Sequence, residues 1–197
     1  MLRRNFISRL FDPYQALVVQ CARNDLVHEA QNDVVAATQA LATSAAHFLE
    51  ANRQSTDSGS VKALQQKLQD VADTAKHGSL RKANRVAEIT IAYSYEFNEQ
   101  QQFRFIRREI FATNQRFGEF QLVDTIGEYL AVLMVRFGFD LGPINPSIAH
   151  QPFMQEARII VTPKTFDVGQ IHLRFFKRSE TGTLLLADPP ECRIVWG

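Results

Sequence analysis

Cysteine is scarce: the 197-residue chain has two, Cys21 and Cys192, at opposite ends. Neither has a metal-like or redox partner nearby in sequence, so reduced thiols are expected, with a single end-to-end disulfide as the alternative. Proline is also sparse, 7 residues, against 15 Phe and a 45% hydrophobic fraction, which argues against disorder. Long apolar runs are missing. The best, Tyr129 to Val135, is closed by Arg136, so no membrane span is expected and a cytoplasmic location is the default. There is no Walker A loop, dinucleotide glycine fingerprint, HExxH, CxxC or GxSxG, which removes the enzyme classes readable from one motif. His150 and His172 lack a carboxylate or cysteine at ligand spacing, so neither a metal nor a cofactor is expected.

Charge is nearly balanced at +1 but unevenly placed. Residues 1–11 carry three arginines and no acid. Residues 12–75 hold four bases and eight acids, residues 76–116 eight bases and four acids, and the remainder seven and nine. A local basic stretch can attract phosphate or an acidic partner, or pair with acidic helices of its own chain. The acid-free start, MLRRNFISRLF, has the look of a transit or membrane-surface segment, but it is short for either. Docking of its Phe and Leu side chains on the body is the favoured expectation.

The structural period changes at Ala75-Lys76-His77-Gly78-Ser79-Leu80. Upstream, apolar residues recur at helical spacing. Asp12-Pro13 reads as a helix start, followed by a stripe of Tyr14, Leu17, Val18 and Cys21. A polar stretch at 24–33 either lies inside one long helix or joins two. The stripe resumes with Val34, Leu41, Ala45, Phe48 and Leu49. After a loop at 54–60, Val61, Leu64, Leu68, Val71, Ala72 and Ala75 define another helix, with Gly78 just past its end. Downstream, Ile89, Ile91, Tyr93, Tyr95 and Phe97 alternate with Glu88, Thr90, Ser94 and Glu96, the pattern of a strand. A second strand at 103–113 follows a hairpin loop at 98–102, and its apolar residues switch parity after Phe105, suggesting a bulge. A short strand at 119–123 precedes Thr125-Ile-Gly-Glu128, which reads as a capping box for a helix ending at Gly138. The tail suggests strands at 157–162, 170–177, 183–187 and 192–196, with a turn at Ser179–Gly182.

Arg23-Asn24-Asp25-Leu26-Val27-His28 has the form arginine, four residues, histidine. It is similar to the motif of HEPN-type ribonucleases, small helical domains. The resemblance implies that His28 acts on a ribose 2′-hydroxyl and Arg23 stabilises phosphate charge, without metal, at a site completed across a dimer. On a regular helix residues five apart diverge by about 140°, so a helix break would help the two converge. A solvated helix face accounts for the same residues. The chain over roughly 60–140 also resembles a set of small bacterial proteins with a helical N-terminal half and a KHxxL junction, some of them HEPN-like. Here His77 has no arginine in the turns before it, and the macrodipole at a helix C-terminus accounts for Lys76 and His77. A third candidate is a nucleic-acid surface built from Lys76, Arg81, Lys82, Arg104, Arg107, Arg108 and Arg116, with Arg85 beside them and Phe103, Phe105 and Phe111 interleaved to stack bases. The alternative is core phenylalanines with solvated arginines.

These patterns predict an α+β fold: a basic segment at 1–11, a helical bundle with an inserted β-hairpin at 12–140, and a β-rich extension at 141–197. The leading functional expectation is a non-catalytic interaction or accessory module of a bacterial system, working with a protein partner or as a homodimer. A metal-independent ribonuclease and an RNA- or DNA-binding protein are the alternatives.

Overall fold

The computed structural model of the chain describes residues 1–23, 28–54, 59–78, 80, 82–155 and 171–188, side chains excepted at 28–32, 60 and 171. Helix α1 (Leu2–Phe6) widens into a π-turn over Ile7–Phe11 and continues as α2 (Asp12–Cys21). Asp12-Pro13 thus opens α2 where expected, but as a continuation of the π-turn rather than as a capped, free helix start. Phe11 and Asp12 both have helical dihedrals, and no side chain caps the junction. Proline lacks an N–H and crowds the carbonyl one turn back; the wider π-turn carries the chain past it. Burial keeps the helix going: Phe6, Leu10, Tyr14, Leu17 and Cys21 form one covered stripe. Phe6 meets Phe48 edge-on, ring centroids 5.7 Å apart. The basic N-terminal segment thus docks its apolar side chains on the body.

Of the two alternatives for the polar stretch, two helices is the outcome: α2 ends at Cys21 and α3 (His28–Ala51) begins within the stretch. Buried Ala42, Ala45 and Ala46 let α4 (Gly59–His77) approach α3 closely, and Gln65 Nε2 reaches the Ala46 carbonyl at 2.7 Å. The expected stripe of α4 is covered except at Ala75, which is exposed. Gly78 takes φ +66°, a left-handed conformation that glycine adopts without strain, and its N–H closes on the Thr74 carbonyl at 2.8 Å.

After a 3-10 turn at Ala83–Arg85 come β1 (Glu88–Phe97), β2 (Phe103–Asn114) and β3 (Gly118–Gln121), then α5 (Leu122–Phe137), β4 (Ile171–Arg178) and β5 (Leu184–Leu186). The five strands form one sheet in the order β3-β2-β1-β4-β5. All neighbours are antiparallel except β1 and β4, which run parallel from Ile91↔Ile171 to Phe97↔Lys177. The parity switch in β2 is a bulge: Ser94 faces Arg107 and Tyr95 faces Phe105, leaving Ile106 as the extra residue. The expected strands at 157–162 and 192–196 lie outside the described residues.

Helix α5 begins three residues before the expected capping box. The Gln121 side chain accepts the Asp124 N–H, while the Thr125 hydroxyl donates back to the Gln121 carbonyl at 2.8 Å. Leu122 and Val123 are buried, and the chain turns into helix as soon as β3 ends. Gly138 stops it in a left-handed conformation. The helical layer and one face of the sheet share a core that includes Leu68, Ile110, Ala112, Phe120, Ile126 and Leu130. Farther along that face, Tyr93, Tyr95, Phe97, Phe103, Phe105 and Phe175 make a separate aromatic cluster. No described helix is long and apolar enough to cross a membrane.

Candidate functional site

Strand alternation sends Ser94, Glu96, Arg104, Arg107 and Glu109 to the sheet face opposite the helical layer, where β4 adds Arg174 and Arg178. Polar alternation on a strand ordinarily means solvent exposure. Here Ser94 is 1% and Glu96 3% exposed, because arginines lie across them. Glu96 Oε2 accepts from Arg104 Nη2 at 2.6 Å and Arg178 Nη2 at 3.0 Å, and its Oε1 accepts from Arg178 Nε at 3.0 Å. Glu109 takes the Ser94 hydroxyl at 2.5 Å, Arg174 Nη1 at 2.9 Å and Arg107 Nη2 at 3.1 Å. Arg107 also holds Asp124, at the start of α5, through two nitrogens at 3.1 and 3.2 Å.

Burial pushes the Glu96 carboxyl up, but the hydrogen bonds from Arg178 and Arg104 outweigh it and hold the group below the ordinary range. Burial of Arg107 works against its charge, and Asp124 and Glu109 more than restore it. These contacts tie β4 to a hairpin some 80 residues earlier. Charge-assisted, two-pronged pairs of this kind are directional as well as strong.

A second network lies at the joint between helices and sheet. Asp70 of α4 is fully buried and accepts Arg85 Nε at 2.6 Å, while Asp73 accepts Arg85 Nη2 at 2.6 Å. Asn114 Nδ2 reaches Asp70 at 3.3 Å and Arg116 Nη1 lies 3.7 Å from it. The Asp70 hydrogen bond is the largest influence on the Arg85 guanidinium and raises its pKa.

The arginines singled out from sequence therefore fall in different places. Arg104 and Arg107 share the polar face. Arg108 is buried and donates to the Gln20 carbonyl at 2.6 Å. Arg116 binds Gln66 Oε1 at 2.8 Å and packs on the Phe117 ring. Lys76 and Lys82 are exposed at the joint, and Arg81 lies outside the described residues. Phe103 and Phe105 are in the aromatic cluster, whereas Phe111 is on the polar face, with the Arg174 guanidinium 5.2 Å from its ring centre. Arg23 is exposed just beyond α2; residues 24–27 and the His28 side chain lie outside the described residues.

The expected strand at 170–177 also carries Arg174, Phe176 and Arg178, which are not among the site residues expected from sequence. His172, Arg174, Phe176 and Arg178 alternate onto one face, a signal readable from spacing alone. Among the described residues no group of three or more His, Cys, Asp or Glu could hold a metal ion. A surface hollow of about 610 Å³ lies elsewhere, between α2 and α3, and is lined by small side chains such as Ala16, Ala37, Ala40 and Ser44.

The fold and these networks define an α+β protein whose mostly antiparallel sheet carries a guanidinium–carboxylate lattice on one face. Comparison of the chain with protein-family models, curated proteins and solved structures finds no match.

Proposed function

We propose that the chain is a non-catalytic interaction module of a larger bacterial assembly, which accepts an extended segment of a partner along β5. The observation that carries this reading is the character of that edge. Among the described residues β5 has one neighbour, β4, and none of them pairs with the other side of its backbone. Leu185 and Leu186 point to opposite faces and are 54% and 66% exposed. Edge strands are ordinarily blunted by charge, proline or a bulge, and Leu184-Leu185-Leu186 has none of these. A partner strand added there would pair with the free backbone and cover both leucines. The turn from Ser179 to Thr183 fixes the edge, with Ser179 N–H on the Thr183 carbonyl at 2.8 Å.

The test is isolation of the tagged chain under gentle conditions from its own cells, beside a Leu185→Asp/Leu186→Asp variant of equal melting temperature. The wild type should elute with a stoichiometric partner and the variant without it. A wild type of twice the chain mass, reduced to monomer by the variant, makes that partner a second copy. A wild type that elutes alone as a monomer removes the reading.

One observation favours a second reading, a metal-independent ribonuclease using Arg23 and His28: α2 ends at Cys21, before Arg23, and His28 is the first residue of α3, so the two do not share one regular helix. Such an enzyme would cleave RNA in the presence of a chelator and lose activity in both Arg23→Ala and His28→Ala. Undiminished cleavage by His28→Ala would dismiss it.

A further inference from the structure

One face of β4 reads His172, Arg174, Phe176, Arg178 in order. Alternate residues on a strand lie about 7 Å apart, a spacing that an extended sugar–phosphate chain can follow. His172 is exposed, and the side chains of Arg174, Arg178 and Arg107 are 35%, 39% and 40% exposed. Two of the carboxylates they hold are set back from the surface, Glu96 at 4% and Glu109 at 8% exposed, whereas Asp124, which Arg107 holds, is 46% exposed at the side chain. Over Glu96 and Glu109 an approaching anion therefore meets the guanidinium groups of Arg174 and Arg178 first. Arg104, Arg107, Arg174 and Arg178 face Glu96, Glu109 and Asp124, an excess of one positive charge. The lattice also leaves donors unspent. Among the described residues one of the five N–H donors of Arg174 is engaged, by Glu109.

Two rings interleave with these cations. The Arg174 guanidinium carbon lies 5.2 Å from the Phe111 ring centre and 5.4 Å from that of Phe176. Both rings are half-buried, so part of each reaches solvent. Arg104 in turn lies over Phe153, 4.6 Å from its centre. Guanidinium alone would suit any polyanion. Guanidinium alternating with partly open aromatic rings on a sheet suits a polyanion that also carries flat, stackable groups.

We infer that this face binds single-stranded nucleic acid, with Arg174, Arg178 and Arg107 along the phosphates and Phe176 and Phe111 against the bases. The site adjoins the β5 edge, where Leu186 pairs with Phe176, but differs from it in chemistry. It also differs from the 76–116 stretch named from sequence, because most of its contacts come from β4.

The test uses the full chain and fluorescence anisotropy of a labelled oligothymidylate, which lacks the 2′-hydroxyl that a ribonuclease would need. Binding should appear at about 50 mM salt and weaken toward 200 mM with a log–log slope near −2, as for about three phosphates. Phe176→Leu keeps the apolar bulk, removes the ring and should weaken binding about fivefold or more. His172→Glu places an acid among the arginines and should weaken it as well. Thermal melts check folding; if Phe176→Leu melts early, His172→Glu carries the test, since His172 is exposed. The inference fails if no shift occurs at low salt, or if variants that fold like the wild type bind at full strength. It also fails if binding is lost instead in Lys76→Glu/Lys82→Glu. Heparin matching the oligonucleotide in affinity, with Phe176→Leu silent, would reduce the face to a general polyanion surface and overturn the assignment.

Discussion

The hydroxyl of Tyr14 occupies the space that a side chain at position 127 would need. A Cβ built on Gly127 would lie 2.9 Å from Tyr14 Cζ and closer still to the hydroxyl oxygen. Glycine in the first half of α5 lets the α2 tyrosine lie against the helix and donate to Asn145 Oδ1 at 2.8 Å, which ties down the loop after Gly138. Burial, with Asp124 nearby, pushes the Tyr14 hydroxyl up to about 12, so it remains a donor at neutral pH.

Gly127→Ala should therefore destabilise the fold despite alanine's better helix propensity. Displacing the ring and losing its hydrogen bond should cost about 2–3 kcal/mol. Tyr14→Phe alone should cost about 1 kcal/mol. The double variant should recover only part of the Gly127→Ala loss, because the ring carbon remains in the way. Urea unfolding of the four proteins measures this, and strict additivity would refute a direct contact.

Glu96 holds two arginines from two strands. Glu96→Ala should cost about 2–3 kcal/mol, short of the 3–5 for a fully buried pair because Arg178 is 39% exposed and can rehydrate. Protease cleavage between β4 and the hairpin should rise more than cleavage within α4, since Glu96 anchors Arg178.

The same residue makes stability depend on pH. Its folded pKa is below the unfolded value, so the unfolded chain binds the proton more tightly. Its contribution is complete above the unfolded value of about 4.3 and is lost as pH falls through the lower folded value. The melting-temperature gap between wild type and Glu96→Gln should hold constant above about pH 5 and close at more acid pH. A gap that persists unchanged to pH 2 would contradict the assignment.

Asp70 fastens the end of the helical layer to the first strand. Asp70→Asn removes the charge while keeping the shape, and should cost about 2 kcal/mol; Asp70→Ala should cost about 3 kcal/mol, since Asn114 loses its partner and Arg85 keeps only Asp73. Hydrogen exchange at Ala87, whose N–H is held by the Thr74 hydroxyl at 3.0 Å, should speed up in both variants.

Burial pushes the Cys21 thiol up to about 11, against a lowering pull from Arg108 and Arg107. At pH 8 it carries on the order of 100-fold less thiolate than an unburied cysteine. In a Cys192→Ser background the native chain should resist alkylation and react at the ordinary rate only in denaturant. Rapid native labelling would show that the helix α2 stripe opens readily.

Much of the architecture was readable because its causes are local. Gly78, Gly138 and Gly182 each sit at a positive φ where a helix or hairpin must turn. The parity switch after Phe105 marked the bulge. The capping signals at Asp12 and Thr125 go unused for one cause: helical structure extends upstream of each, with Leu10 and Phe11 buried in one case and Leu122 and Val123 in the other. The polar face was harder to read. Period-two alternation says which residues share a face, but not which strand lies beside it. The basic stretch at 76–116 therefore read as one patch, while its arginines in fact divide between Asp70, the Gln20 carbonyl and the β1–β2 face.

Residue order alone determined the two structural periods, the joint between them, the main glycine stops and the stripes of the core. Each follows from contacts within a few residues along the chain, where backbone preference and side-chain spacing act directly. Only the tertiary structure decided that β4 runs parallel beside β1, bringing Arg178 to Glu96 across 82 residues and Arg174 to Glu109 across 65. A carboxylate can accept any guanidinium its neighbours supply, and nothing local to Glu96 or Glu109 specifies which one. The choice is made when the sheet closes and buries the acids, and each must then find a partner or lose its charge.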